Sequence, residues 1–354
     1  MVNLSKPNEK IVPSELRQPG DLIFHEPFDK LDMDVWEHEM TMNGGGNWEF
    51  QVYYNNRTNS YVKDSTLFLQ PSLTADILGE EALSRDRLDL WGAQPSDECT
   101  GNAWWGCERV GSGDSYLPPA YSARLRTAKS FTCRYCRVEV EAKLPRGDWI
   151  WPAIWMLPKH LDYGKWPASG EIDIMESRGN VNLKHHGEDI GVECYGATLH
   201  WGPFWPLNGY EKTTEHYCLE QGTFNDDFHV FTVDWQPDHF SFELDGVEIL
   251  RVDPGEGGFW ELGSFGDVNN PWIGSDGQLV PFDTEFYLIL NVAVGGTNGF
   301  FPDDAVNGGG SAKPWNNQSP TAMKDFWLAK EQWHSTWEPE DSAMQVRDIK
   351  VWQN

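Results

Sequence analysis

Three carboxylates within six residues form the part of the sequence best suited to chemistry. Glu171, Asp173 and Glu176 stand in the stretch G-E-I-D-I-M-E-S-R-G-N, which covers residues 170 to 180. Side chains two residues apart on a β-strand point to the same face, so Glu171 and Asp173 would share one face. Glu176 would point the other way on a regular strand, and a β-bulge at Ile174–Met175 would return it to the acidic face. The apolar residues between the acids would then face a core.

A pair of carboxylates on one face suits the hydrolysis of a glycosidic bond. In a retaining enzyme one carboxylate is the nucleophile and the other is acid and then base, with the two groups about 5–5.5 Å apart. Asp173 between them could hydrogen-bond the nucleophile. The general acid must have a raised pKa, and neighbouring anions raise it. Because like charges repel, such a cluster destabilises the fold, and clusters of this kind usually occur at functional sites. The alternative interpretation is a solvated acidic face on an edge strand.

The charge balance restricts the class of partner. The chain has 354 residues, with 27 Lys+Arg against 55 Asp+Glu and a formal net charge of −28. Nucleic acids and anionic membranes bind basic surfaces, so neither is an expected partner, and a neutral substrate fits best. The 19 Trp residues include candidates for stacking on the C–H faces of sugar rings, although most are expected to fill the core.

Cysteine usage favours an oxidising, extracellular setting. The chain has six Cys, an even number, and N-glycosylation sequons begin at Asn3, Asn56 and Asn317. Cys133 and Cys136 form a C-x-x-C, but no second pair of ligands follows at zinc spacing, so no metal site is expected. The sequence has no apolar run of about 18 residues, so no transmembrane helix is predicted. The first residues lack the apolar core of a signal peptide, so either a signal has been removed or the chain is cytosolic; we favour the first and predict a secreted protein.

The elements that must hold the acids are short alternating strands. Strand patterns cover residues 21–26, 48–54, 66–70, 137–144, 228–235, 240–244, 247–252, 286–294 and 345–352. Helical periodicity is scarce, and residues 76–90 and 321–333 are the best candidates. The predicted class is therefore all-β, with two packed antiparallel sheets and long loops rich in Gly and Pro.

The chain shows no internal repeat and no linker that would divide it. Residues 1–20 are polar, contain three Pro residues and read as an N-terminal arm, so a single domain over residues 21–354 is predicted. The segment Gly295 to Trp315 is rich in Gly, has no periodicity and is too long for an ordinary connection. It is a candidate loop at a substrate cleft.

The stretch W-P-A-S-G-E-I-D-I-M-E, residues 166–176, resembles the active-site strand of glycoside hydrolase family 16. Further matching segments are L-P-R-G before W-P-A-I-W at 144–155, T-L-H-W-G at 198–202, N-V-A-V-G-G at 291–296 and the closing strand at 346–353. The resemblance extends from about residue 21 to residue 354. The spacing of two residues between the Asp and the second Glu resembles that of the laminarinase branch. Within this branch the chain looks most like invertebrate endo-β-1,3-glucanases and the related β-1,3-glucan recognition proteins.

The resemblance implies a jelly-roll β-sandwich of two curved antiparallel sheets with a cleft on the concave face. It implies retaining endo-hydrolysis of β-1,3-glucans such as laminarin, in a monomer that needs no cofactor. Glu171 would be the nucleophile, Asp173 its helper and Glu176 the acid and base. The residues that would bind the neutral β-glucan are Trp166, Trp151, His200, Trp201, Arg124, Asn47 and Trp48.

Two alternatives share the same family. A non-catalytic β-1,3-glucan-binding recognition protein usually lacks one of the Glu residues, and both are present here. A transglycosylase would use the same covalent intermediate. Many family members bind calcium through an Asp of the closing strand, but Arg347 stands there and would repel the ion, so no bound metal is predicted. The expected disulfides are Cys99–Cys107, Cys194–Cys218 and Cys133–Cys136.

Overall fold

The computed structural model describes residues 10–92, 98–275, 277–308 and 312–354. The strands of these residues are β1 (Leu22–Glu26), β2 (Glu37–His38), β3 (Gln51–Tyr53), β4 (Ser60–Lys63), β5 (Thr66–Leu69), β6 (Ser72–Leu73), β7 (Arg87–Asp89), β8 (Glu108–Val110), β9 (Ala120–Ser122), β10 (Arg124–Arg126), β11 (Cys136–Lys143), β12 (Ile150–Pro158), β13 (Glu171–Ser177), β14 (Lys184–His185), β15 (Glu188–Asp189), β16 (Cys194–His200), β17 (Thr214–Cys218), β18 (His229–Trp235), β19 (Phe240–Leu244), β20 (Val247–Val252), β21 (Phe286–Val294) and β22 (Met344–Gln353).

Helices are short and peripheral in the described part of the chain. The α-helices are α1 (Thr74–Leu78), α2 (Gly258–Gly263), α3 (Ala322–Leu328) and α4 (Lys330–Trp333). Turns of 3₁₀-helix cover Ser14–Leu16, Gly44–Gly46, Glu80–Ser84, Ala103–Trp105, Tyr210–Lys212 and His334–Thr336. None of the described helices is long and apolar enough to reach across a bilayer.

Two antiparallel sheets dominate the described residues. One has the strand order β20-β19-β18-β11-β22-β5-β4, with β1 also paired to β22. The other has the order β17-β16-β13-β12-β21-β10-β2 and contains the acidic strand β13 at an interior position. A small sheet of β3, β9 and β6 and the hairpins β7-β8 and β14-β15 complete the pairing. The all-β prediction is confirmed.

Alternating sequence explains how the two sheets enclose the core. Along β11 every second residue is buried, and Val138 and Val140 face the second sheet. Nearly every residue of β21 is buried, as its continuous apolar run predicts. Ile172 of β13 and Leu290 of β21 belong to the same hydrophobic cluster as Val138. The acid-bearing sheet therefore presents one face to the core and leaves the opposite face for the acids.

Tertiary pairing overrides one helix prediction. The segment 76–90 was expected to be helical, but α1 ends before Gly79, whose φ is +84°. Arg87–Asp89 then forms an edge strand paired with β8. The left-handed backbone at Gly79 favours glycine and ends the helix. Ala82 and Leu83 are then buried from a 3₁₀ turn, and the hairpin begins only at Arg87.

The described part of the predicted arm packs against the first sheet. Ile11 forms a β-bridge with Phe24, and Lys10 Nζ lies 2.5 Å from Glu26 Oε1. The sequon at Asn3 lies outside the described residues. The division into an arm at 1–20 and a domain at 21–354 stays a prediction.

All three expected disulfides are confirmed. Cys99–Cys107 closes the loop before β8, and Cys133–Cys136 lies at the start of β11. Cys194–Cys218 joins β16 to the edge strand β17, where the two Cys are register partners. The last of these fastens the edge of the sheet that carries the acids.

Candidate active site

The acidic strand β13 lies between β12 and β16, so the edge-strand interpretation is wrong. Its register shifts between Asp173 and Glu176 on the β16 side, as a bulge at Ile174–Met175 requires. On the β12 side Met175 pairs with Ile154 and Asp173 with Trp155, which leaves Ile174 without a partner. The bulge prediction is confirmed, and the pairing with β12 identifies Ile174 as the inserted residue.

The bulge separates the acids from the apolar residues. Ile172, Ile174 and Met175 are all buried in the core between the sheets. Glu171 and Glu176 are only partly buried, on the other side of the strand. An extra residue changes the parity of the strand, which is how three acids with unequal spacing reach one face.

His200 connects the first two acids to the neighbouring strand. It is the register partner of Glu171, and its Nε2 lies 3.2 Å from Asp173 Oδ2 and 3.8 Å from Glu171 Oε1. Asn208 Nδ2 donates to His200 Nδ1 at 2.8 Å. Asn208 Oδ1 accepts from the backbone N–H groups of Trp201 and Tyr210, which fixes the orientation of the amide. A neutral His200 therefore carries its proton on Nε2, facing the carboxylates.

Burial dominates the electrostatics of the three acids. It raises the pKa of Glu171 to about 8, and the neighbouring charges of Asp173 and then Glu176 add to the increase. Burial and then the charge of Asp173 raise the pKa of Glu176 to about 7. Burial raises the pKa of Asp173 well above its usual range, and its fully buried Oδ2, although 3.2 Å from His200 Nε2, has no partner in hydrogen-bond geometry. The cluster therefore retains protons at neutral pH.

A stacked wall supports Glu176. Trp151 Nε1 donates to Glu176 Oε1 at 2.9 Å, and the Trp151 ring stacks on Phe300 with ring centroids 3.8 Å apart. Arg178 lies 4.0 Å from the Phe300 ring centroid and donates from Nε to the Phe300 carbonyl at 2.7 Å. The segment from Gly295 to Trp315, predicted as a cleft loop, thus contributes Phe300 to the surroundings of Glu176.

Arg124 reaches the acids through Trp155. The Arg124 guanidinium lies 4.5 Å from the centroid of Trp155, the β12 residue paired with Asp173. Trp155 Nε1 donates to Asn291 Oδ1 at 2.7 Å. Arg124 is itself buried, lies 3.4 Å from Glu39 and helps to lower the pKa of Glu171. Its contacts suit a residue that shapes the cleft floor.

Exposed aromatic residues stand beside His200. The Trp166 ring is partly exposed and its centroid lies 5.6 Å from that of His200 and 5.7 Å from that of Trp205. Tyr210 lies 5.3 Å from His200. Exposed rings next to candidate catalytic carboxylates are suited to stacking on a sugar.

The prediction that Trp201 lines the cleft is wrong. Trp201 is 0% exposed, packs against Phe259 and Phe265, and donates from Nε1 to Thr213 Oγ1. The physical reason is strand alternation: His200 faces the acids, so the next residue points into the core.

Trp48 lines a groove whose lining residues do not include the three acids, and Asn47 precedes it in the chain. Asn47 Nδ2 donates to Glu49 Oε1, and its carbonyl accepts from Thr297 N–H at 2.8 Å. Trp48 is exposed and faces Arg109 at 5.9 Å, in a groove of about 680 Å³ that also contains Trp105, Arg109 and Tyr116. Their described hydrogen bonds and ring contacts do not include the three acids, so any role in glucan binding remains a prediction.

Sequence reasoning missed several neighbours of the acids. They are Asn208, Trp205, Tyr210, Asn291 and Phe300. Three of them come from the connection between β16 and β17. The sequence of this connection has no periodicity, so it does not indicate which side chains face β16. The Asn208 contact with His200 is visible only once that connection has folded back.

The comparisons with known proteins agree with this fold. The family model "Glycosyl hydrolases family 16" matches residues 102–258. The laminarinase catalytic domain from Thermotoga maritima MSB8, solved in complex with cetyltrimethylammonium bromide, has a TM-score of 0.59 and 24% identity, over 95% of this chain and 99% of that one. The architecture is therefore the jelly-roll β-sandwich of laminarinases.

Relatives with higher sequence identity show the family of the chain. A "Beta-1,3-glucan-binding protein" of Penaeus monodon is 54% identical over 94% of this chain and 90% of its own length. The "Beta-1,3-glucan-binding protein 1" of Manduca sexta is 32% identical over 94% of this chain, which spans only 65% of that relative. The chain belongs to glycosyl hydrolase family 16.

Proposed function

We propose that the chain binds β-1,3-glucan in the cleft above β13 and hydrolyses it internally with retention of configuration. The observation that carries the proposal is the intact carboxylate cluster, in which the bulge turns Glu176 to the same face as Glu171. Both carboxyls are partly accessible, and burial raises the pKa of both. A site that holds protons at neutral pH can supply one ionised and one protonated carboxyl, as double displacement requires.

In the first step the Glu171 carboxylate attacks the anomeric carbon. The glycosidic C–O bond breaks, and Glu176 gives its proton to the leaving oxygen. In the second step Glu176 takes a proton from water, the water oxygen attacks the same carbon, and Glu171 leaves as a carboxylate. Each carboxyl returns to its starting protonation state.

Asp173 and His200 support the nucleophile in this proposal. Burial raises the pKa of Asp173 well above its usual range, and a protonated Asp173 would remove the neighbouring negative charge that helps to raise the pKa of Glu171. The Nε2–H of His200 faces both carboxyls, and His200 partly offsets the burial that raises the pKa of Glu171. Both effects favour an ionised Glu171 next to a protonated neighbour.

The second candidate function is glucan binding without hydrolysis. The names of the Penaeus and Manduca relatives favour it, since both are called glucan-binding proteins. A glucan transglycosylase is the third. All three functions include glucan binding, so a binding assay does not separate them.

Reducing-sugar release from laminarin separates them. The wild type is expected to release new reducing ends, and Glu171→Ser to lose roughly 10³-fold or more of that activity because the nucleophile is absent. A wild type that binds laminarin but releases nothing above the blank would establish the binding function instead. Products longer than a supplied oligosaccharide would indicate transfer.

The same proposal covers setting and partners. A secreted monomer that acts on a neutral polysaccharide agrees with the three disulfides and with the net charge of −28. The charge disfavours nucleic acid and anionic membranes as partners. Sedimentation in the presence and absence of laminarin tests the monomer.

A further inference from the structure

A group of metal-ligating side chains lies apart from the three acids. His185, His186 and Asp304 each offer one ligand atom, and these atoms all lie within 4.8 Å of one another. We propose that they form a surface site for a single divalent transition-metal ion, with zinc as the expected occupant. The proposal does not rest on the hydrolytic function.

The distances suit one ion between the three groups. His185 Nε2 lies 3.1 Å from Asp304 Oδ1, and His186 Nε2 lies 3.8 Å from Asp304 Oδ2. Tetrahedral zinc with bonds of about 2.0–2.1 Å holds its ligand atoms about 3.3 Å apart. Small rotations of exposed side chains would bring the three atoms to that spacing. A water molecule would complete the coordination.

The backbone brings two consecutive histidines to the same side. On an extended strand their rings would point to opposite faces. Here His186 and Gly187 have φ of +52° and +91° and form the two-residue turn of the hairpin β14-β15. The rings consequently lie with centroids 3.9 Å apart. Such turns usually have Asn, Asp or Gly at the first position, so a histidine there is unusual.

A second segment supplies the carboxylate and is already paired with the hairpin. Lys184 and Val306 exchange two backbone hydrogen bonds of 2.9 and 2.8 Å, which positions Asp304 two residues before this bridge. The nearby Lys184 ammonium is held by Asp189 at 3.0 Å on the hairpin. The ligand set itself is two neutral imidazoles and one carboxylate, in a chain of strongly negative charge.

The chemistry of the ligands selects the ion. Imidazole nitrogen suits zinc, copper and nickel, whereas magnesium and calcium prefer sites made of oxygen ligands alone. His186 and Asp304 are 74% and 64% exposed, so an ion has access from solvent. Bound there, it would tie the β14-β15 hairpin to the segment that carries Phe300, four residues before Asp304.

Calorimetric titration of the full chain with zinc chloride tests the site. The wild type is expected to bind one more zinc ion than His186→Asn and Asp304→Asn, or to bind that ion about tenfold or more tightly. Asn suits the turn position of His186, so the fold of that variant should be unchanged without metal. His239→Asn is the matched control, because His239 faces the single carboxylate Asp238 elsewhere on the surface and should bind zinc as the wild type does.

Two outcomes would overturn the site. One is a wild type that responds to zinc no more than to magnesium. The other is equal zinc binding by the wild type, His186→Asn and Asp304→Asn, which would place the ion elsewhere, for example at Glu171, Asp173 and His200. Hydrogen exchange gives a second readout: zinc should slow exchange over residues 299–306 in the wild type and leave it unchanged in His186→Asn.

Discussion

At the scale of single residues, Glu171 and Glu176 differ mainly in their surroundings. Glu171 faces His200 Nε2 and the field of Arg124, whereas Glu176 accepts a hydrogen bond from Trp151. Burial raises the pKa of both, and the cluster titrates as a unit. The pKa values therefore do not assign nucleophile and acid, and the assignment needs a chemical test.

Rescue by azide makes that test. In Glu171→Gly a small anion can enter the space of the nucleophile and attack an activated aryl β-glucan oligoside directly, so the product is expected to be the α-glycosyl azide. In Glu176→Gly the covalent intermediate still forms, so the product should be the β-glycosyl azide. Proton NMR of the products distinguishes them. The reverse pairing of variant and product would exchange the two roles.

The raised pKa of Glu171 also predicts a pH-dependent stability. Between about pH 4.5 and 8 the folded form keeps a proton on Glu171 that the unfolded chain releases. The contribution of this group to the free energy of unfolding is therefore fully present below that window and is lost as pH rises through it. The Gln side chain of Glu171→Gln stays neutral, so the free energy of unfolding of this variant should fall less as pH rises. The expected advantage over the wild type grows to roughly 1–3 kcal/mol by pH 8.

Urea unfolding at pH 5, 7 and 8.5 measures this difference. The exposed Glu256→Gln is the control, and its difference from the wild type should not change with pH in this way. A constant difference between wild type and Glu171→Gln across the series would contradict the buried, protonated carboxyl.

At the scale of elements, the bulge of β13 decides which residues reach the cleft. Deleting Ile174 leaves Glu171, Asp173 and Glu176 at alternate positions, so all three still share one face. Deleting Ile172 instead places Glu171 and Asp173 next to each other, and one carboxylate must then face the core. The first variant is expected to fold with a loss of about 2–4 kcal/mol from the missing buried side chain; the second is expected not to fold.

Thermal unfolding followed by circular dichroism compares the two deletions. Both remove one buried isoleucine from the same strand, so they are matched in lost apolar area. Equal destabilisation would show that the acids do not depend on this register.

Local patterns predicted the strands that contact their sequence neighbours or the core. The apolar run 286–294 has the bounds of β21, and the predicted strands 240–244 and 247–252 are β19 and β20. The helix at 76–90 failed because Gly79 ends α1 and a later strand captures Arg87–Asp89. Alternation alone would have excluded Trp201 from the cleft once His200 was placed there.

The candidate site was predictable where it lies on strands and not where loops supply it. The three acids follow from strand alternation with one bulge, and His200 was expected from the resemblance to glycoside hydrolase family 16. Asn208, which orients His200, belongs to a connection whose path depends on the folded sheet. The same holds for Asp304, because nothing in the spacing of residues 185, 186 and 304 indicates that they meet.

At the scale of the molecule, a disulfide that encloses a longer stretch of chain should stabilise the fold more, because the entropy it removes from the unfolded chain grows with the logarithm of loop length. Cys194–Cys218 closes a separation of 24 residues and Cys99–Cys107 one of 8. Restriction of the unfolded chain predicts roughly 3 kcal/mol for the longer loop and about 1 kcal/mol less for the shorter one. Replacing each pair by Ala should therefore lower the free energy of unfolding more for Cys194 and Cys218; the opposite order in urea unfolding would refute this ranking.

The chain combines a net charge of −28 with exposed aromatic rings near a buried carboxyl cluster, and this combination suits a neutral polysaccharide. Proton NMR of a linear β-1,3-gluco-oligosaccharide during the first turnovers tests the central claim most directly. The β-anomer of the new reducing end should appear first and then mutarotate, because Glu171 and water each invert the same carbon. Initial appearance of the α-anomer, or no cleavage of a bound oligosaccharide, would contradict a retaining hydrolase.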